Sequence, residues 1–413
     1  MEAIILAGGL GTRLSSAVPD LPKALAPVNG VPFLDYVLTL LIKNGIDHFV
    51  LAVGNKAQLI ISHYGFEYKG IKIDYAFENE PLGTGGAIKN ALAYCEQDRV
   101  FVINGDTFMD VNFAAMYAFH AEQGRPITLC AKPMRDFDRY GSLEIRNFRV
   151  NRFIEKKPTK IGRINAGIYL VEKSVFEQIP ETVFSFEKHV LENEKFHVSA
   201  FESDGYFIDI GIAEDLERAQ TELSLPVRAK AAFVDRDGTL NIEVSCLNGA
   251  DKFNFIFGAE KAVETLHKLG YIVIVVTNQA GVAKGYFPES AVRKIHAHID
   301  KKLRKCGTYI DAYYYCPHHP AAVNDQYRVD CDCRKPKTGM IEKALADFRE
   351  KNIEISLADS VFIGDTDEDM LTAVNAKIGK RILVRTGHGA SADSAAADFV
   401  IDSIANIEQI KGL

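Results

Sequence analysis

Twice along this chain an apolar, strand-like run stops abruptly in a loop of chemically loaded residues. Ala3–Leu6 runs into Gly8-Gly9, and Ala231–Val234 runs into Asp235. A short apolar run closed by a turn and followed by helix-spaced apolar residues marks a β-loop-α unit. Each half repeats the pattern. Phe33–Lys43 has helical spacing, while Phe49–Val53 and Phe101–Asn104 read as short buried strands. In the second half, Tyr271–Val276 and Val361–Ile363 read as strands, and Glu289–Cys306 as a helix. Such alternation predicts an α/β fold, with a largely parallel sheet and helices on both faces. At 413 residues the chain is too long for one ordinary core. The helix-like stretch Glu214–Leu223 is broken by Ser224-Leu225-Pro226. Two domains are therefore expected, 1–224 and 230–413. There is no internal repeat and no low-complexity tract.

Composition narrows the class of partner. The net charge is -7 and no long run of Lys or Arg occurs, so a nucleic-acid partner is not expected. No apolar stretch approaches the roughly 20 residues that span a bilayer. The first apolar run follows the acidic Glu2 and stops at Gly8, unlike a signal peptide. A cytoplasmic protein acting on small molecules is the expectation, and an oligomer is compatible with it. The seven cysteines are odd in number and sparse, which does not suggest a disulfide scaffold. Three of them, Cys316, Cys331 and Cys333, cluster and point to a metal instead.

The first loop reads Leu6-Ala7-Gly8-Gly9-Leu10-Gly11-Thr12-Arg13-Leu14. Its glycines let backbone N–H groups curl onto a phosphate chain with no side chain in the way. Arg13 adds a fixed positive fork for the outer phosphates, and Lys23, after Pro22, is a second cation. A Gly-rich turn alone is as readily a plain turn, but the whole string is far more specific. It resembles the sugar-1-phosphate nucleotidyltransferase family, and the resemblance runs to about residue 220. It implies that Leu82–Ala87, with Gly83 and Thr84, lies against the nucleobase. It implies Mg²⁺ held by Asp106 of Asn104-Gly105-Asp106 and by Asp209 of Asp209-Ile210-Gly211. It further implies sugar-phosphate contacts from Glu155-Lys156 and from Asn165 and Gly167 of Asn165-Ala166-Gly167. In the reaction so implied, a sugar-1-phosphate oxygen attacks the α-phosphorus of a nucleoside triphosphate and pyrophosphate leaves. Two anions must meet, so Arg13, Lys23, Lys156 and Mg²⁺ would serve as the clamp. No hexapeptide repeat accompanies the domain, so the β-helix acyltransferase of some family members is not expected.

The second loop reads Asp235-Arg236-Asp237-Gly238-Thr239. Two carboxylates two residues apart at a strand end can share one Mg²⁺. One can attack phosphorus and the other can protonate the leaving oxygen. A lone D-x-D is often a turn, but D-x-D-G-T after an apolar strand resembles the haloacid-dehalogenase superfamily of phosphatases. That resemblance implies that Asp235 becomes an aspartyl-phosphate and Asp237 is general acid, then base. It implies that Thr277 bonds the transferring phosphoryl group and Lys335 neutralises Asp235. It also implies that Asp365 is a Mg²⁺ ligand supported by Asp369. Cys316-x-His318 and Cys331-x-Cys333 offer three thiolates and one imidazole, a set that suits a closed, structural Zn²⁺ site. Buried free cysteines are the plainer alternative, and His319 is a rival ligand to His318. Thr277-Asn278-Gln279, Gly281–Phe287 and Cys333-Arg334-Lys335-Pro336 resemble the histidinol-phosphatase and heptose-bisphosphatase branch, with Asn278 and Arg334 toward the sugar phosphate. Ile242–Phe257 and Lys284 depart from that branch's usual pattern.

Together these resemblances imply two Rossmann-like domains: an N-terminal nucleotidyltransferase fold and a C-terminal haloacid-dehalogenase-like fold with a zinc loop. The N-terminal half is also similar to the heptose-1-phosphate guanylyltransferase group, so the two halves would perform consecutive steps ending in GDP-heptose. A transferase for another sugar 1-phosphate, such as mannose 1-phosphate, joined to a phosphatase for another ester, such as histidinol phosphate, is a second reading. One domain serving as a silent scaffold is a third.

Overall fold

The structure, a computed structural model, describes residues 1–9, 20–244, 247–388, 394–410 and 412–413. The strand Glu2–Leu6 sits inside its sheet, paired in parallel with His48–Val53 on one side and Arg99–Asn104 on the other. His48–Val53 pairs in parallel with Ile71–Phe77. Helices Phe33–Lys43 and Gly83–Ala91 follow strands in this half, as β-loop-α units require. The first of these helices starts after Pro32, which favours extended backbone at its entry, and ends where the Asn44 side chain donates to the Leu40 carbonyl at 2.9 Å. Leu34, Val37, Leu38 and Leu41 all bury on it. The chain divides into compact units Met1–Leu225 and Pro226–Leu413.

Beyond Arg99–Asn104 the first sheet is mixed, with Val198–Glu202 parallel to Ile127–Phe137 and the other main pairings antiparallel. Thr159–Glu172 pairs antiparallel with both Arg99–Asn104 and Ile127–Phe137. Ser142–Arg146 pairs antiparallel with Arg149–Ile154. Between Ile127–Phe137 and Thr159–Glu172 the chain makes that hairpin and no helix, so no crossover exists to enforce a parallel return. The largely parallel sheet expected from the sequence therefore holds for the first part of this unit only. Its core is the shared apolar face of both parts, including Ile4, Val50, Val102, Leu129 and Val171, each fully buried.

The second unit is a parallel sheet throughout. Its order is Ala312–Cys316, Tyr271–Asn278, Val227–Val234, Val361–Gly364, Lys380–Val384, Phe399–Ile401, with Ile353–Ile355 also beside Val227–Val234. Val234 is in register with Val275 on one side and Ile363 on the other. The carboxyl ends of three strands thus meet at one rim, where open α/β sheets place their ligand crevice.

At the amino end of the first sheet lies a charged cluster with no counterpart in the sequence reading. Glu2 and His48 are register partners, and His48 is the partner of Lys72 on its other side. The His48 ring is 2.7 Å from Glu2 Oε1 through Nδ1 and 2.9 Å from Asp74 Oδ2 through Nε2. Glu2 also accepts from the Glu96 and Gln97 backbone N–H groups. The Glu2 hydrogen bond, and then Asp74, raise the His48 pKa against the effect of burial. Burial would raise Glu2, but His48 and the two N–H donors outweigh it and lower it. A raised histidine stabilises the fold fully below its unfolded value of about 6.5 and loses that contribution as pH climbs through the folded value. Glu2 and Asp74, both lowered, lose theirs only on acidification. We expect His48→Gln to lower the melting temperature of the affected transition more at pH 6 than at pH 9, measured by calorimetry. An equal effect at both pH values would rule out the charged imidazole.

Candidate active sites

Around the carboxyl end of Glu2–Leu6 lies a cavity of about 550 Å³. Leu6, Gly8 and Gly9 form its floor, and Glu78, Gly83 and Thr84 stand among the residues of its wall. Ala7 is buried beneath, its N–H bonded to the Ala52 carbonyl at 2.9 Å. Gly11, Thr12 and Arg13, expected to complete this loop, lie outside the described residues. Asn55, Glu78 and Asn79 also line the cavity and were not singled out by the sequence. The available signal was positional: each follows the end of a strand that neighbours Glu2–Leu6 or its partner.

Lys23 stands at the carboxyl-end rim of the same sheet, beside Asp106. Its ammonium bonds Asp106 Oδ2 and lies 3.7 Å from Asp209 Oδ1. The two aspartates come together because Thr107–Met109 pairs with Phe207–Asp209, with Asp209 opposite Thr107. The Ile210 N–H then donates to the Asp106 carbonyl at 3.0 Å. Burial, and next the Asp106 charge, raise the Asp209 pKa, with Lys23 acting in the opposite sense. Asp209 Oδ1 is buried without a hydrogen-bond partner among the described residues. Two carboxylates with an unsatisfied buried oxygen fit a hard divalent cation, which takes oxygen ligands.

The wall helix Gly83–Ala91 owes its glycines to packing. A Cβ on Gly85 would sit 2.2 Å from the Phe184 ring, and one on Gly86 would sit 2.2 Å from the Thr182 carbonyl oxygen. The Gly85 N–H donates to the Phe184 carbonyl at 2.9 Å, and the Phe184 N–H donates to the Leu82 carbonyl at 2.9 Å. The Thr84 hydroxyl is engaged from behind: it donates to Glu187 Oε2 at 2.7 Å and accepts from the Phe186 N–H at 2.9 Å.

The residues expected to contact the sugar phosphate are less gathered. Glu155 and Lys156 are exposed on the turn after Arg149–Ile154. Asn165 lies at an irregularity in the Thr159–Glu172 strand, where it donates to the Tyr169 hydroxyl at 2.8 Å and accepts from the Gly167 N–H at 3.1 Å. Gly167 has φ of +71° and stands so near Asn104 that a Cβ would meet its Nδ2 at 2.6 Å.

In the second unit the buried residues converge tightly. Lys335 Nζ is 2.5 Å from Asp235 Oδ1 and 2.5 Å from Asp369 Oδ1, and it donates to the Val276 carbonyl at 3.2 Å. Asp369 is fixed by its other oxygen, which accepts from the Thr366 hydroxyl at 2.6 Å and the Thr366 N–H at 3.1 Å in the capping box of helix Asp367–Asn375. Burial would lower the Lys335 ammonium, but Asp235 and Asp369 hold it above its ordinary value. Burial, with the Asp369 and Asp365 charges, raises Asp235 against the pull of Lys335. Burial and then Asp369 push Asp365 up to about 6. Asp235, Asp365 and Asp369 form one group whose carboxylate oxygens lie within 4.8 Å of one another. Three crowded carboxylates against one ammonium fit a divalent cation.

Asp237, expected among the metal ligands, is not in that group. Its carboxylate is turned to Arg236, whose Nη2 donates to Oδ2 at 2.7 Å and Nε to Oδ1 at 3.2 Å. Gln279 and Asn241 add donors at 2.7 and 3.0 Å. Burial would raise Asp237, but the Arg236 charge and these donors lower it. Arg236 is fully buried, and its Nη1 lies 3.4 Å from His296 Nε2. The sequence reading gave Arg236 no role beyond its place in D-x-D-G-T, and no spacing rule reaches His296. Thr277 is buried, its hydroxyl accepting from Gln279 at 3.0 Å. The Asn278 side chain is engaged with the main chain of Lys335, accepting from its N–H at 3.1 Å. Arg334 reaches the His318 carbonyl at 3.4 Å.

Cys316, His318, Cys331 and Cys333 form a second group. Sγ of Cys331 lies 3.5 Å from Cys316 and 3.3 Å from Cys333, and His318 Nδ1 lies 3.3 Å from Cys333 and 3.8 Å from Cys316. Those separations match the edges of a tetrahedron whose metal bonds are about 2.0–2.3 Å. His319 is turned elsewhere, its Nδ1 accepting from the Ala321 N–H at 3.0 Å.

Comparison with known proteins supplies the family. The nucleotidyl transferase family model matches residues 2–224, and the model described as polynucleotide kinase 3 phosphatase matches residues 230–403. D-glycero-alpha-D-manno-heptose 1-phosphate guanylyltransferase of Aneurinibacillus thermoaerophilus is 46% identical over 54% of this chain and 98% of its own length. D-glycero-beta-D-manno-heptose-1,7-bisphosphate 7-phosphatase of Photorhabdus laumondii is 42% identical over 44% of this chain and 96% of its own length. The crystal structure of HddC from Yersinia pseudotuberculosis complexed with GMP-PN is 38% identical, covers 54% of this chain and 99% of that one, and superposes with a TM-score of 0.50. No helix among the described residues is long and apolar enough to cross a membrane. With both halves matched nearly end to end by separate enzymes, the chain belongs to the nucleotidyl transferase family in its first half and carries a haloacid-dehalogenase-like phosphatase in its second, making it a bifunctional enzyme.

Proposed function

We propose that this chain removes the 7-phosphate of D-glycero-D-manno-heptose 1,7-bisphosphate and then transfers GMP from GTP to the heptose 1-phosphate, giving GDP-heptose and pyrophosphate. One observation carries the reading: the relatives that match the two halves are named for consecutive substrates. Two steps on one sugar must share an anomer, yet the transferase relative is named for the alpha form and the phosphatase relative for the beta. The committed product passes through the transferase, so the α-anomer is assigned to both halves.

In the phosphatase, an Asp235 oxygen attacks phosphorus and the bond to the sugar oxygen breaks, that oxygen taking a proton from Asp237, which must carry that proton against the pull of Arg236 when substrate is bound. Water then attacks the aspartyl-phosphate, Asp237 takes the water's proton, and inorganic phosphate leaves with Asp235 restored. Lys335 offsets charge at Asp235, and Thr277 positions the phosphoryl group. Asp235 and Asp365 would hold Mg²⁺, which supplies charge neutralisation at the phosphoryl oxygens. Asp369 keeps Lys335 in place. In the transferase, Asp106 and Asp209 would hold Mg²⁺, with Lys23 and Lys156 as further cations. Gly8, Gly9, Gly83 and Thr84 enclose the nucleotide. Glu78 lines the same cavity, and an ionised carboxylate accepts from two donors, matching the N1–H and 2-amino group of guanine. Zn²⁺ on Cys316, His318, Cys331 and Cys333 would be structural, holding the loop that leads directly into Lys335.

The direct test is a reaction containing the α- or β-bisphosphate, Mg²⁺ and each nucleoside triphosphate in turn, read by mass spectrometry. GDP-heptose with phosphate and pyrophosphate from the α-anomer is expected. Phosphate without any nucleotide-sugar would leave only the phosphatase half. Asp106→Asn should abolish transfer and spare phosphate release. Asp235→Asn should do the reverse when heptose 1-phosphate is supplied, and unchanged phosphate release would remove Asp235 as nucleophile.

Lys335→Met leaves two buried carboxylates without their partner. We expect loss of phosphatase activity and a destabilisation of about 3–5 kcal/mol in the second unit, by denaturant titration. Metal analysis should find one zinc per chain. Its removal by a strong chelator, with Mg²⁺ restored, should cut phosphate release and leave guanylyl transfer intact. A zinc-free but fully active phosphatase would exclude the structural zinc.

A further inference from the structure

The cavity assigned to the nucleotide has one wall whose position depends on a segment that does not line it. Helix Gly83–Ala91 is held from behind at both ends by residues 179–187. At its start, Gly85 and Gly86 donate their N–H groups to the Phe184 carbonyl at 2.9 and 3.3 Å. At its end, the Lys89 ammonium bonds the Ile179 carbonyl and reaches the Glu181 carbonyl at 3.3 Å. Between these stands Thr84, a residue of the wall. It contributes to the cavity, while its hydroxyl is committed to the Glu187 carboxylate and the Phe186 N–H. Glu187 Oε2 also accepts from Ser185 Oγ at 2.9 Å, so one oxygen gathers two hydroxyl donors. Glu187 is absent from the cavity lining.

We propose that Glu187 is a positioning residue for nucleotide binding. It orients Thr84 and, through it, the first turn of the wall helix, so that the wall keeps the shape that receives the nucleotide. The same segment touches the sugar side, since Phe186 packs edge-on against Tyr169 at 5.1 Å, and Tyr169 accepts from Asn165. Among the described residues the Glu187 carboxylate takes side-chain hydrogen bonds from Thr84 and Ser185 and reaches Tyr169 through its charge alone, so its main effect is assigned to the nucleotide. The inference rests on the reading of this cavity as the nucleotide site.

Steady-state kinetics of the full chain distinguish the two. Wild-type enzyme that transfers no nucleotidyl group from any triphosphate would sink the cavity reading, whatever Glu187 does. With transfer established, Glu187→Ala should raise KM for GTP about tenfold, as expected from losing one or two hydrogen bonds that fix the wall. KM for the sugar 1-phosphate should stay within about twofold of wild type. Glu187→Gln keeps an acceptor oxygen and should restore the GTP KM to within about twofold. Thr84→Val should reproduce the effect, and adding Glu187→Ala to it should cost nothing further, because both remove one linkage. Multiplying effects in the double variant would overturn the proposal, as would an unchanged GTP KM in Glu187→Ala. A parallel loss of both KM values that Glu187→Gln does not reverse would make Glu187 a general fold residue and overturn it equally.

Discussion

Each half of this molecule gathers carboxylates at the carboxyl ends of its strands, and each keeps them there with a single lysine. Like charges brought this close out of water would otherwise force one another to protonate or the backbone to give way. In the second unit Lys335 lies between Asp235 and Asp369 with all three side chains almost entirely buried. In the first, Lys23 spans Asp106 and Asp209 in a more open setting. The sheets, the caps and the loop lengths all serve to deliver these few atoms to one place. Asp369 shows how: one oxygen begins a helix while the other holds the lysine.

The two units reach this arrangement by different routes. In the second, three parallel strands end level with one another, so neighbouring strand ends supply Asp235, Thr277 and Asp365. In the first, only Asp106 follows a strand of the main sheet. Asp209 arrives on a small two-stranded ribbon that pairs with the residues just after Asp106. The mixed sheet beyond Arg99–Asn104 belongs to this second solution. It supplies a long antiparallel strand that brings Asn165 and Gly167 beside the end of Arg99–Asn104.

Much of this was written locally in the chain. The two strand-to-loop transitions, the helix Phe33–Lys43 and the four zinc-type ligands are all features of adjacent residues, and periodicity or spacing reveals them. What stayed hidden depends on pairing across long separations. Nothing near residue 127 signals that its strand will run antiparallel to the one beginning at Thr159. The engagement of Asp237 by Gln279 and Asn241 joins segments about forty residues apart or close in sequence with equal weight, and no motif ranks them. His48 between Glu2 and Asp74 needs three strands in register before it exists at all. Sequence could name Gly85 and Gly86 as a glycine run, but their cause is Phe184 and Thr182, about a hundred positions later.

That last contact bears on how such a domain can change. The run from Leu82 to Ala87 and the segment around Phe184 are two halves of one fitted surface, with no space for even a methyl group between them. Drift in either half alone meets a steric barrier, so the segments are constrained to vary together or hardly at all. A designer wishing to reshape this cavity wall would need to transplant both pieces as one cassette. A swap of the glycine loop by itself would import side chains that its new backing cannot receive.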